Sequence, residues 1–178
     1  MPHTVDVADA LREAIRVVPD FPQPGVRFQD LAPVFARPDL VRRLAEAFDE
    51  TFHGTYERIM AVEARGFVLG TALSALADRP LVLARKKGKL PGPVHRAEYV
   101  LEYGTATLEM QRDAVRPGDR LLVVDDVLAT GGTLAAAAEL VAAGGAHVAG
   151  FAVASTIAGL GGTESLAPAK VYSVLPAG

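Results

Sequence analysis

Apolar residues recur at helical spacing from Val5 to Val18 (Val7, Ala10, Leu11, Ala14, Ile15, Val18) and from Asp39 to Phe52 (Leu40, Leu44, Ala47, Phe48). Steps of three and four place these side chains on one face, so each segment is predicted to be an amphipathic surface helix. The proline-rich stretch between them, "FPQPGVRFQDLAP", carries turn residues, and little regular structure is expected there.

Further along, the pattern changes from stripes to blocks. "RIMAV" and "PLVLA" are short apolar runs on either side of the helix-like "FVLGTALSALA", and the same order returns as "RLLVV", "TLAAAAELVAA" and "HVAGFAVAS". Gly144 and Gly145 stop the second helix. Two βαβ units with continuously apolar strands predict a parallel sheet covered on both faces. Residues 97–115, "AEYVLEYGTATLEMQRDAV", alternate instead, as an antiparallel flap would, and "VYSVL" supplies a last strand. The expected class is α/β: a mostly parallel central sheet flanked by helices with an antiparallel flap, in a single domain over residues 1–178.

Composition narrows the partners. The net charge of -3 disfavours bulk attraction to nucleic acid or anionic lipid, although Arg85, Lys86, Lys87 and Lys89 form a local basic cluster. With no cysteine among 178 residues, disulfides, thiolate nucleophiles and Cys-based zinc sites are excluded. The first fifteen residues carry acids and do not read as a secretory signal. The uncharged stretch His147 to Thr163 is shorter than the ~20 apolar residues that span a bilayer and is rich in Gly, Ser and Thr. A soluble, cytoplasmic protein with neither nucleic acid nor membrane as partner is expected.

In an open parallel sheet, ligands bind outside the carboxyl ends of the strands, which directs attention to the loops beginning at Glu63, Arg85 and Asp125. In "VVDDVLATGGTL" two acids end a strand and a loop of small residues opens a helix. Backbone N–H groups there, aided by the helix N-terminus, suit a phosphate without a cationic side chain. Gly131 and Gly132 permit close approach, and Thr130 and Thr133 add hydroxyl donors. Carboxylates repel a phosphate, so ribose hydroxyls or a Mg²⁺ ion must lie between them. A solvent-facing acidic strand end before an ordinary helix is the alternative.

This stretch resembles the phosphoribosyl pyrophosphate (PRPP) signature of the type I phosphoribosyltransferases. "FPQPGVRFQDLAP", "EARGFVLG", "RKKGKLPGP" and "LEYGTATLEMQRDAV" are similar, in order and spacing, to segments of the adenine phosphoribosyltransferases, and the five motifs are spread over residues 19 to 135. The resemblance implies transfer of a 5-phosphoribosyl group from PRPP to adenine, with Mg²⁺ bound mainly through the substrate, and a homodimer. It assigns Asp125 and Asp126 to the ribose and metal side, and Ala129, Thr130, Gly131, Gly132 and Thr133 to the 5'-phosphate. It assigns Arg65, Arg85, Lys86 and Lys89 to pyrophosphate, and the general acid to Glu102 on the flap. The flap and basic loop would close over the site and exclude water.

For the base, the resemblance implies Phe28 as a stacking aromatic, with Arg27 beside it and Leu128 as an apolar wall. Arg27 stands where the family more often has an apolar residue, and Gln29 where it more often has a basic one, so another nucleobase is an open alternative. A non-catalytic PRPP-sensing regulator is a second, but it needs a DNA-binding module for which residues 1–20 are too short. Of the histidines, His3 and His53 read as surface, His147 as the start of a strand, and His95 as a loop residue; none has metal-ligand spacing. "GLGGTE" (159–164) reads as a plain loop.

Overall fold

Residues 6–100 and 105–177 are described by the structure, a computed structural model. Asp6 caps the first helix, α1 (Val7–Ala14), by accepting a hydrogen bond from Ala8 N. This helix is shorter than the apolar stripe predicts. The chain turns at Ile15 into β1 (Arg16–Pro19), which pairs antiparallel with β2 (Arg27–Asp30), Arg16 standing opposite Asp30. The β-branched Val17 and Val18 favour this state, and the Arg16–Asp30 ion pair holds its end. The proline-rich segment expected to be irregular therefore supplies one strand of a two-stranded sheet.

Two helices follow, α2 (Ala32–Phe35) and α3 (Pro38–Phe52), the latter matching the second predicted stripe within one residue. The first βαβ unit is β3 (Arg58–Val62), α4 (Gly66–Ala77) and β4 (Leu81–Lys86). The flap is formed by β5 (Val94–Val100) and β6 (Thr105–Gln111). The second unit is β7 (Arg120–Leu128), α5 (Gly132–Ala143) and β8 (His147–Thr156), and short α6 (Gly162–Ser165) and β9 (Val171–Leu175) complete the order.

Among the described residues the main sheet has seven strands in the order β5-β6-β4-β3-β7-β8-β9. Pairing is parallel from β4 across to β9 and antiparallel where β6 meets β4 and β5. The mostly parallel sheet and antiparallel flap are as the sequence predicts. Alternation along the strands divides the core in two. Met60, Val62, Leu121 and Val123 face α5 with Leu134, Leu140 and Val141. Ile59, Leu122 and Val124 face α3 and α4 with Leu44, Phe48, Leu69 and Leu73.

Some strands outrun their apolar runs. β4 continues through Arg85 and Lys86, which pair with Glu109 and Leu108 of β6, so the basic segment begins in the sheet and becomes a turn only at Lys87. Likewise β7 carries both Asp125 and Asp126 within the strand. Neighbouring strands supply backbone partners there, and this outweighs the polarity of the side chains. His95 is on β5 rather than in a loop, and His147 begins β8.

Candidate active site

Asp125 and Asp126 end β7 almost fully enclosed, at 9% and 5% exposure. Asp126 N donates to Asp125 Oδ1 at 2.8 Å. Burial, followed by the neighbouring Asp126 carboxylate, pushes the Asp125 carboxyl well above the usual carboxylate range. Gly66, at the start of α4, makes room for this acid: a Cβ there would lie 2.9 Å from Asp125 Oδ1.

Arg65 precedes Gly66 and turns inward. Its Nε approaches Asp126 Oδ2 to 2.7 Å, its guanidinium lies 5.1 Å from the Phe28 ring centroid, and NH1 donates to Gln29 O at 3.4 Å. The Arg65 N–H is not directed at Asp126 Oδ2, so this contact is ionic, and that buried oxygen accepts no hydrogen bond. Gln29 Oε1 and Thr156 Oγ1 are buried without a partner as well. Unmet acceptors in a buried setting are costly, and a ligand bearing donors or a cation relieves that cost at Asp126.

Past Leu128 the chain makes the cradle. Ala129 and Thr130 bend, Gly131 takes φ +89° as the residue before α5, and Gly132 and Thr133 open the helix. A side chain at Gly131 is excluded twice, by that positive φ and by Ser165 Oγ, which would lie 2.0 Å from a Cβ. Ser165 Oγ stands 3.0 Å from Thr130 O and 2.8 Å from Gly162 O, where its hydroxyl donates. The segment read as a plain loop thus contains a short helix that pins the cradle. Nothing local in "GLGGTE" signals this, because the contact spans 35 residues.

The basic segment is held from below. Glu63 Oε2 accepts from Lys86 N at 2.9 Å and from Arg85 Nε at 3.2 Å, while Arg85 NH1 donates to Lys89 O at 3.0 Å. Burial raises the Glu63 carboxyl, but the Lys86 N–H and the Arg85 guanidinium outweigh it and leave the group below its ordinary range. Arg85 is therefore engaged in shaping the loop, whereas the Lys86 and Lys89 side chains are exposed. Among the described residues no carboxylate is within salt-bridge distance of either ammonium group.

Phe28 also stacks edge-on against Phe21, with centroids 5.0 Å apart. Arg27 is exposed at the start of β2, opposite Pro19. Leu128 is buried in the core beside α5 and faces Gly162, where a Cβ would come within 2.8 Å of its Cδ1. Glu102 lies outside the described residues. Tyr99, near the end of β5, was missed by the motif reading. Burial pushes its phenol up, a hydrogen bond with Thr133 opposes this, and the Asp125 and Glu63 carboxylates add to the rise.

The Gly131–Thr133 loop, the buried acid pair, the inward-turned Arg65 and the lysine-rich loop all lie at the carboxyl ends of strands of one parallel sheet, where open α/β sheets bind their ligands. The family model for the phosphoribosyl transferase domain matches residues 34–170, well over half of the chain. The chain is 49% identical over 173 residues to the adenine phosphoribosyltransferase of Frankia casuarinae, covering 95% of this chain and 90% of that one. It is 43% identical over 169 residues to that of Renibacterium salmoninarum, covering 95% and 93%. The crystal structure of adenine phosphoribosyltransferase from Rhodothermus marinus superposes with a TM-score of 0.89 at 45% identity, covering 96% of this chain and 98% of that one. The Saccharomyces cerevisiae enzyme, complexed with D-2,5-dideoxy-2,5-imino-altritol 1,6-bisphosphate and adenine, superposes with a TM-score of 0.90 at 36% identity, covering 95% and 98%. The chain belongs to the phosphoribosyltransferase family, and within it to the adenine phosphoribosyltransferases.

Proposed function

We propose that the chain transfers the 5-phosphoribosyl group of PRPP to N9 of adenine, forming AMP and pyrophosphate, a purine salvage step. The observation that carries this reading is the adjacency, on one strand-loop-helix unit, of the buried Asp125–Asp126 pair and the Gly131–Thr133 cradle. A ligand with a phosphate at one end and hydroxyls in the middle matches both surfaces at once.

In this reading Ala129 to Thr133 hold the 5'-phosphate through backbone N–H groups and threonine hydroxyls. Asp125 and Asp126 accept from the ribose hydroxyls. Arg65, Lys86 and Lys89 meet the pyrophosphate, and Arg85 keeps the basic loop in shape. The bond between C1 of the sugar and the pyrophosphate oxygen breaks with its electron pair on the leaving group, and N9 of adenine bonds to C1. The base then loses its surplus proton, a step assigned to Glu102, which lies between the two flap strands in the sequence. Phe28 supplies a face for the base, with Arg27 and Leu128 in the neighbouring segments.

The donor set fits Mg²⁺. Asp126 Oδ2 is a buried carboxylate oxygen accepting no hydrogen bond, and hard cations take such ligands. The ion would be held by the acid pair and chiefly by substrate oxygens, where it neutralises charge on the departing pyrophosphate.

A homodimer is part of the same proposal. Val68 and Leu76 on α4 and Leu83 on β4 are exposed apolar residues, and among the described residues β4 pairs with β6 only at Arg85 and Lys86, so its first half presents an open edge there. A second copy covers such a surface. The protein is placed in the cytoplasm on its composition, and none of the described helices is long and apolar enough to cross a membrane.

The reaction is tested by incubating the protein with PRPP, Mg²⁺ and, separately, adenine, hypoxanthine, guanine, xanthine and orotate. AMP from adenine at a rate well above any other nucleotide is expected. Failure to form AMP from adenine overturns the reading, and a faster reaction with another base reassigns the substrate.

A further inference from the structure

Glu109 is enclosed at 2% exposure on β6, where alternation turns it to the face opposite the core residues Leu108 and Met110. It stands opposite Arg85 of β4 on one side and Arg96 of β5 on the other. Oε1 accepts from Arg96 Nε at 2.8 Å, and Oε2 accepts from the backbone N of Gly88, in the turn of the basic loop, at 2.8 Å. The adjoining Lys87 N donates to Thr107 O of the same strand at 3.1 Å.

Arg96 and the Gly88 N–H outweigh its burial and hold the Glu109 carboxyl below its ordinary range, so it is the charged form that makes both connections. Its distinctive contribution is directional. One oxygen orients the turn that presents Lys86, Lys87 and Lys89, and the other fixes Arg96 on the flap strand. Resting on the reading above, in which the basic loop holds pyrophosphate, we propose that Glu109 is a positioning residue for the pyrophosphate half of the reaction, coupling the flap to the basic loop through Arg96 and Gly88.

Glu109→Gln tests this with little change of shape. The carboxamide replaces one acceptor with a donor that faces Gly88 N–H or Arg96 Nε–H, so one of the two connections breaks. Steady-state kinetics of the full chain run from AMP and pyrophosphate should show KM for pyrophosphate raised about tenfold and KM for AMP nearly unchanged. Arg96→Gln, at a side chain 61% exposed, cuts the flap connection without disturbing the core. It should raise the same KM, and the double variant should be no worse than Glu109→Gln alone, as coupling through one network requires. If Glu109→Gln does not fold, Arg96→Gln decides alone. An unchanged pyrophosphate KM in Arg96→Gln, an equal rise in both KM values, or strict additivity overturns the proposal. Wild-type AMP formation from adenine and PRPP is measured alongside: its absence removes the underlying reading, whereas its presence with unaltered variants removes only the role of Glu109.

Discussion

Arg65 and Asp126 face each other across the carboxyl ends of β3 and β7, with Nε and Oδ2 2.7 Å apart. The cation assigned to pyrophosphate is thus engaged by an acid assigned to the sugar. On the proposed function, PRPP exchanges this contact for its own, and Arg65 links the two halves of the substrate.

Arg65→Ala leaves Asp126 buried without its cation, so the free protein should lose roughly 1–3 kcal/mol of stability. Thermal unfolding should shift down by several degrees. The kcat/KM for PRPP should fall about 100-fold while the adenine KM changes little. Wild-type kinetics in this variant would remove Arg65 from the site.

Asp125 provides a pH signature. Its pKa is raised in the folded protein, so its contribution to stability is full below the ordinary carboxylate range and is lost as pH rises through the raised value. Asp125→Asn mimics the protonated acid, keeping the Oδ1 acceptor for Asp126 N and offering an N–H toward the Asp126 carboxylate. The variant should gain Tm relative to wild type at pH 8 and gain much less at pH 4, while PRPP binding weakens. A Tm difference independent of pH would contradict the shift.

Gly131→Ala should disable the cradle. The positive φ and the 2.0 Å approach of Ser165 Oγ both oppose a methyl group, and a loss of about 1–3 kcal/mol with at least a tenfold fall in PRPP affinity is expected. Adding Ser165→Ala removes the hydroxyl but not the φ strain, so calorimetric PRPP affinity should recover only in part. Full recovery would make the steric contact the whole effect.

Leu83→Glu places a charge on the exposed apolar surface beside α4, where the core is not reached. Sedimentation should show the wild type as a dimer and the variant shifted toward monomer. An unshifted variant moves the interface elsewhere.

Two of the element types were written locally. The stripe Leu40, Leu44, Phe48 and the blocks "RIMAV" and "RLLVV" each repeat a period that one helix or one buried strand imposes on its own residues. The carboxyl-end rule then located the acids and the cradle. Where β1 replaced the end of a predicted helix, pairing with β2 outweighed the local stripe, as tertiary partners do for short segments.

By itself, then, the sequence determined the parallel sheet, its antiparallel flap and the chemical types of residue at each strand end, because period and turn chemistry are properties of neighbouring residues. Only the tertiary structure decided which of those residues are engaged. Arg85 serves Glu63, Arg65 meets Asp126, Ser165 pins Thr130, and Glu109 joins Gly88 to Arg96. These contacts join residues from 13 to 61 positions apart. Their existence depends on strand order and register, which no local pattern specifies.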